Sequence, residues 1–365
     1  VRALAELDGC CNLQIDLETG LRGKRSHAVE KLLCRLTGAE AAVVVNNNAA
    51  ATFLILAALC PGKEVIVSRG QLIEIGGSFR LPDCIHQSGA VLVEVGTTNK
   101  THLRDYEAAV TANTAAVMRV NPSNYRVVGF SKSVPIRDLV GLRTKYPLLI
   151  MDDLGCGALI DLERFGLPHE PTVQESIAAG TDVACFSGDK LIGGPQAGII
   201  VGRSDPIERI RKHPLTRMLR VGKLTDMALE YTLRLFLEPE RLLDTHPTLQ
   251  MLTHSPESLK RRAQRLKRRI DKDTNSIKSA VVPVDSAAGG GALPDVAIKS
   301  FAVAVNVTGM SSVDLIRGLR CGNPAVIARI HEDSVLIDMR TLLTGDEQRV
   351  LKALQELMRK DYAEP

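Results

Sequence analysis

Val183-Ala184-Cys185-Phe186-Ser187-Gly188-Asp189-Lys190-Leu191-Ile192-Gly193-Gly194-Pro195-Gln196-Ala197-Gly198-Ile199-Ile200-Val201 reads as a short buried strand, a lysine loop rich in glycine with one proline, and a second short strand. Upstream of it, short β-branched runs alternate with helical text. The strands are Ala41 to Asn46, Glu64 to Val67, Val91 to Val95, Ala115 to Val120 and Leu148 to Met151, and Ala49 to Leu59 is a helix. This alternation predicts an α/β fold around a mainly parallel, twisted sheet with helices on both faces, whose ligands collect at the strand C-terminal ends. Beyond residue 203 long helices take over: Asp205 to Lys212, Thr225 to Leu237 and Ser258 to Ile270, the last with an apolar stripe at Leu259, Ala263, Leu266 and Ile270. Strands at Ser300 to Val307, Ala325 to Ile330 and Val335 to Met339, with helices at Ser311 to Leu319 and from Gly345 to about Lys360, complete a second, smaller α/β region. The expected organisation is a large domain over 1–222, a helical connector over 223–254 and a small C-terminal α/β domain over 255–365.

Composition bounds the function. With 45% apolar and 24% charged residues, the 365-residue chain has the make-up of a folded globular protein. A net charge of +4 leaves nucleic-acid binding to local patches, and five Tyr, seven Phe and no Trp argue against base-stacking platforms. The cysteines Cys10, Cys11, Cys34, Cys60, Cys84, Cys156, Cys185 and Cys321 form no CxxC pair, so they read as reduced thiols of a cytoplasmic protein without a metal site. No apolar run approaches the roughly 18 residues of a membrane helix, which excludes a membrane partner of that kind. His86 and His102 lack metal-ligand spacing and are read as structural.

Three sequence elements carry chemistry. The loop lysine Lys190 has its backbone opened by glycines and is flanked by Ser187 and Asp189, which can hydrogen-bond a phosphate or an amine. An amine partly withdrawn from water is the nucleophile a Schiff base requires. Asn46-Asn47-Asn48-Ala49-Ala50-Ala51 ends a strand and opens an apolar helix, so it is either a plain N-cap or an anion site built by Asn47, Asn48 and Ala49. Leu149-Ile150-Met151-Asp152-Asp153-Leu154-Gly155 ends a strand in two carboxylates, either of which can pair with a pyridinium nitrogen. Anion helix, strand-end carboxylate and late lysine, in that order, point to pyridoxal 5'-phosphate.

The same text resembles the bacterial L-seryl-tRNA(Sec) selenium transferases, or selenocysteine synthases, which are fold-type I pyridoxal phosphate enzymes. The resemblance rests on Asp16-Leu17-Glu18-Thr19-Gly20, Val45 to Ala50, Ser68 to Arg80, Glu94 to Asn99, Ser123-Asn124-Tyr125 and Phe186 to Gly202. It implies a large domain with a seven-stranded-type sheet, Lys190 holding the cofactor covalently with Asp189 beside it, and Asp153, head of the family's Asp-Leu-Gly turn, as the ring-nitrogen partner. It further implies that Lys190, once displaced by the seryl amine, takes the Cα proton. Water then leaves to give an aminoacrylyl-tRNA, and selenium from selenophosphate adds to the β-carbon. Arg217 matches a position that helps hold the phosphate-like donor, a task for a planar, always-charged group. A homo-oligomer, a dimer or a ring of dimers, is expected by the same resemblance.

Cys156, Gln71 and Lys100 depart from the family's usual Ser, Glu and Arg. The family's tRNA-reading domain and a Gly-Arg segment of its active site precede the part matched by this sequence. The expectation is therefore weak, salt-sensitive tRNA binding through residues such as the run Lys260 to Arg269, which is otherwise a solvated helix face. Two rival readings are an ammonia lyase of the same fold acting on a small phosphorylated amino compound, and a catalytically silent fragment.

Overall fold

A computed structural model describes residues 14–15, 19–23, 26–273, 276–289 and 291–361. Cys10, Cys11, Asp16, Leu17 and Glu18, quoted above, lie outside the described residues. The first strands and helices are β1 (Ala41–Val45), α2 (Asn48–Leu59), preceded by α1 (His27–Thr37), β2 (Glu64–Ser68), β3 (Val91–Val95), β4 (Thr114–Val120) and β5 (Leu149–Gly155). There follow β6 (Val183–Ser187), β7 (Gly198–Gly202), α3 (Ser204–Lys212), α4 (Pro214–Met218) and α5 (Lys223–Leu235). These strands form one sheet in the order β1-β7-β6-β5-β4-β2-β3. The neighbours β6-β5-β4-β2-β3 are parallel, while β7 runs antiparallel to both β1 and β6. Six strands thus point the same way, and their C-terminal ends share one edge with the start of β7.

Period-2 alternation sends successive side chains to opposite faces, and both faces are buried. Val65, Val67, Ala116, Met118, Met151, Val183 and Cys185 pack with Leu54, Ile55 and Leu59 of α2 and with α3. Ile66, Val117 and Ile150 pack on the other face with Ile136, Leu139, Leu142 and Tyr106. Helix α2 is apolar on nearly every side, and none of its residues is exposed. β5 runs on to Gly155 where the apolar run alone predicted a stop at Met151, because parallel pairing to β4 and β6 continues through the carboxylates.

The chain divides into two compact units, residues 1–246 with 289–295, and residues 247–288 with 296–365. The division falls inside the helical stretch 223–254 rather than at its ends, and a short later segment rejoins the first unit. The second unit holds α6 (Pro256–Asp273), β8 (Ile277–Ser286), β9 (Ile298–Val307), α7 (Ser312–Cys321), β10 (Arg329–His331), β11 (Ser334–Asp338) and α8 (Asp346–Asp361). Its antiparallel sheet, β8-β9-β11-β10, packs one face on Leu259, Ala263, Leu266 and Ile270 of α6 and on α7 and α8. β8, at the edge of this sheet, contains Pro283, which an edge strand tolerates. The strand expected over Ala325 to Ile330 is shorter, since the Val326 N–H is spent on the Leu319 carbonyl at 2.8 Å. Among the described residues no helix is long and apolar enough to cross a membrane.

Candidate active site

The shared sheet edge gathers the chemistry. At the end of β1, Asn47 takes extended backbone angles and its side chain accepts from the Ala50 N–H at 2.8 Å, capping α2. The first-turn amides of Asn48 and Ala49 have no intrahelical acceptor and face the helix's positive end. This turn lies directly on Gly198, where an added Cβ would run into the Asn47 carbonyl. Gly198 pairs with Val45 of β1 on one side and with Ser187 of β6 on the other. Asn47, Asn48, Ala49 and buried Ser187 are thereby brought together.

Asp153 shares the α2 face with Met151. It accepts from Asn48 Nδ2 at 2.8 Å, Thr52 Oγ1 at 2.9 Å and the Gly155 N–H at 3.0 Å. Burial pushes this carboxyl above the usual carboxylate range, and Asp152's charge adds to the rise while the three donors only offset it. Its neighbours Cys84 and Cys185 are also raised by burial and by the Asp153 charge, Cys84 to about 12. Asn48 Oδ1 is buried without a partner. Asp152 faces the opposite side, where Arg119 donates to both its oxygens at 2.7 Å and Ser176 Oγ donates at 2.5 Å. The sequence left the two aspartates open. In the structure only Asp153 faces the anion helix.

Lys190 is half-buried in the loop after β6, and Asp189 is exposed. The loop is tied by Gly188 N–H to Ala197 O at 2.8 Å and Gly194 N–H to Gly188 O at 2.9 Å. A residue missed by sequence reasoning, His246, is buried with its Nε2 2.7 Å from the Ile192 carbonyl and its ring edge-on to Phe236. Burial lowers its pKa, and the hydrogen bond to the Ile192 carbonyl works against that fall. Lys190 also acts on Cys156. The thiol is pushed up by burial and by Glu170, and the lysine charge works against that rise. Cys156 Sγ donates to Glu170 Oε1 at 2.9 Å, which also accepts from Asn121 Nδ2 at 2.9 Å. Glu170 is 5% exposed and, with Asn121, Gln71, Thr98 and Tyr125, lines a cavity of about 360 Å³. Gln71 there accepts from the Val120 N–H at 3.0 Å, fixing the end of β4. Nothing in the sequence flagged Glu170, because its partners lie 14 and 49 residues away.

Arg217 is exposed on α4 and lines a second cavity, about 490 Å³, together with Lys212, His213 and Arg220. That segment is nevertheless tied to the root of the anion helix. Asn46 N–H donates to Leu219 O at 2.9 Å, and Val45 bridges to Arg220. Asp161, Glu163 and His169 bring one ligand atom each within 4.8 Å of one another, in a mostly exposed group.

The donor set suits pyridoxal phosphate. A helix N-terminus and Ser187 offer donors to a phosphate, and a buried carboxylate with only neutral partners suits a pyridinium. An orphaned amide oxygen lies between them, and a lysine follows the next strand.

Comparison with known proteins identifies the family and the fold. A model of the L-seryl-tRNA selenium transferase family (SelA) matches residues 2–343. The curated L-seryl-tRNA(Sec) selenium transferase of Desulfomicrobium baculatum is 50% identical over 359 residues, 97% of this chain and 77% of the relative. That of Geobacter sulfurreducens is 52% identical over 350 residues, 96% and 76% of the two chains. Among solved structures, D-glucosaminate-6-phosphate ammonia-lyase superposes with a TM-score of 0.64 at 20% identity, covering 98% of this chain and 90% of its own. A serine palmitoyltransferase with pyridoxal phosphate superposes at 0.50 and 14% identity, covering 98% and 82%. These two likenesses show the fold, that of the fold-type I enzymes.

Proposed function

The chain belongs to the L-seryl-tRNA selenium transferase family, and on that premise we propose that the edge formed by Asn47, Asp153 and Lys190 is where it exchanges a seryl hydroxyl for selenium. The reaction is the conversion of L-seryl-tRNA(Sec) to L-selenocysteinyl-tRNA(Sec). An ammonia-lyase reading rests on fold alone, at 20% identity against about 50% for the selenium transferases.

Pyridoxal phosphate, when bound, supplies an electron sink for the carbanion formed at the serine Cα. The chain's own residues do the rest. The amides of Asn48 and Ala49 and the Ser187 hydroxyl hold the phosphate. Asp153 keeps the ring nitrogen protonated, and the pairing relieves the cost of burying that carboxylate. Lys190 anchors the cofactor and, when freed by the seryl amine, takes the Cα proton at Nζ and returns one to the departing hydroxyl. Asp189, exposed beside it, faces the incoming substrate. Arg217 and Arg220 receive the anionic selenium donor, for which selenophosphate is the expected species. The tRNA backbone is met by α6. Its apolar stripe is buried, while Arg261, Arg265, Arg268 and Lys272 are exposed at spacings of 4, 3 and 4 on the outer face. Such a row neutralises phosphates one by one.

The observation that carries the reading is the buried carboxylate of Asp153, held by neutral donors only and joined through Asn48 to the capped N-terminus of α2. The test is selenium transfer from selenophosphate to purified seryl-tRNA(Sec), alongside filter binding of tRNA from about 50 to 200 mM salt. Expected are pyridoxal-phosphate-dependent transfer and binding that fades across that range. A protein that releases ammonia from a small phosphorylated amine but transfers no selenium overturns the reading.

A further inference from the structure

Residues 289–295 interrupt the second unit's sequence between β8 and β9 and pack with the first unit. The segment is held in backbone conformations that L-residues rarely adopt: φ is +90° at Gly289, +106° at Gly291, +50° at Leu293 and +60° at Asp295. Leu293 and Ala292 are nevertheless buried, so side chains anchor a segment whose bends are strained, as happens where geometry matters more than local comfort. Pro294 lines the same cavity as Glu170 and Asn121. Thus anchored, Gly291 lies on the lysine. A Cβ built at Gly291 would stand 2.7 Å from Lys190 Nζ, 2.9 Å from Cε and 3.3 Å from Cδ, whereas one built at Gly289 meets nothing within 4 Å.

We propose that Gly291 is a positioning residue for Lys190: its bare Cα is the ceiling along which the lysine chain lies, and it sets where Nζ stands at the sheet edge. The inference rests on the proposed role of Lys190. It explains why a glycine with a left-handed backbone sits against three consecutive atoms of one flexible side chain. Any side chain at 291 claims the place of the amine, and the amine, at the free end of its chain, yields before the fold does.

The experiment compares Gly291→Ala with Gly289→Ala. Both put a methyl on a left-handed backbone, but only the first meets the lysine. In the cofactor-free protein, the rate at which an acid anhydride labels Lys190, read by peptide mass spectrometry, should rise about tenfold or more in Gly291→Ala and stay at the wild-type value in Gly289→Ala. With pyridoxal phosphate bound, the pH midpoint of the cofactor's absorbance should move in Gly291→Ala only. Its kcat should fall up to about 10²-fold, as expected for a reacting group displaced by about an ångström. Melting temperatures in a Lys190→Ala background guard against a trivial loss of folding. There the cost of Gly291→Ala should shrink to that of Gly289→Ala, because the atoms it meets are gone. Equal labelling and equal midpoints in the two glycine variants, or a Gly291→Ala cost that persists without the lysine, overturn the proposal. Wild-type protein that takes up pyridoxal phosphate without linking it to Lys190 overturns the lysine's role instead, and leaves the cofactor-free coupling between 190 and 291 standing.

Discussion

On one face of β5, Asp152 is enclosed by the Arg119 guanidinium and the Ser176 hydroxyl. On the other face, one residue later, Asp153 is enclosed by an amide, a hydroxyl and a backbone N–H, with no cation among its described partners. Both carboxylates are buried, at 1% and 6% exposure. A buried charge needs compensation. Asp152 has it within the fold and is therefore structural. Asp153 lacks it, and its raised pKa records the deficit. Under the proposed function, that deficit, at the end of a strand beside the capped N-terminus of α2, is where the cofactor's cationic ring would pair.

The largest effect should separate the functional face from the structural one. Lys190→Ala should lower selenium transfer at least roughly 10³-fold while leaving the melting temperature of the cofactor-free protein unchanged. Borohydride followed by peptide mapping should find the pyridoxyl group on the Lys190 peptide of wild type and nowhere in the variant. A pyridoxyl peptide in Lys190→Ala would move the covalent role to another lysine.

Next comes the structural face. Asp152→Ala leaves the Arg119 guanidinium with no counter-charge, and breaking such a pair costs about 3–5 kcal/mol. Urea unfolding should show that loss in the cofactor-free protein. If Asp152→Ala costs no more than Asp153→Asn, the contrast between the two faces fails.

Asp153→Asn should lower the elimination rate roughly 10²-fold, the scale of losing one preorganised electrostatic partner, yet leave the cofactor-free protein no less stable at neutral pH. Because the folded pKa is raised, Asp153 stabilises the fold fully only below its unfolded value, and that contribution is lost as pH rises through the folded pKa. Wild type should therefore lose ground to Asp153→Asn between acid and neutral pH, and regain it when pyridoxal phosphate is added. A stability difference that ignores both pH and cofactor would show that Asp153 is as internally balanced as Asp152.

The smallest effect is expected from Thr52→Val, which keeps the shape but removes the hydroxyl that donates to Asp153 Oδ2. A loss of about 1 kcal/mol in cofactor-free stability is expected at neutral pH, shrinking as the solution is acidified and the carboxyl takes up its proton. An equal loss at acid pH would assign the effect to packing against Cys185, whose Sγ lies 3.7 Å from the same hydroxyl.

Much of this site was legible in sequence. Asn47 before an apolar helix, a carboxylate closing an apolar run and a lysine in a glycine loop are each local signals, and the alternation of strand and helix brings their strand ends to one edge. Thr52 was not singled out, although helical spacing places it with Asn48, since positions i and i+4 share a face. Glu170, His246 and Gly291 were not legible. Each acts on a residue far along the chain: Glu170 on Cys156 and Asn121, His246 on the loop carbonyl of Ile192, and Gly291 on Lys190 itself. Arg217 was legible as a motif residue, but its place in a separate basic cavity depends on how α4 returns to the end of β1.

The pair Asp152-Asp153 marks the boundary between the two kinds of information. Period-2 geometry already dictates from sequence that adjacent residues of a strand face opposite ways, so one of the two had to be turned from the anion helix. Residue types alone did not say which; only the resemblance, through the Asp-Leu-Gly turn, pointed to Asp153. A parallel strand buried on both faces is apolar at every position, and Ile150 and Met151 give no alternation to read. Only the packing of α2 against the odd-numbered side of β5, and of Arg119 against the even-numbered side, made Asp152 a balanced ion pair and left Asp153 in want of a cation.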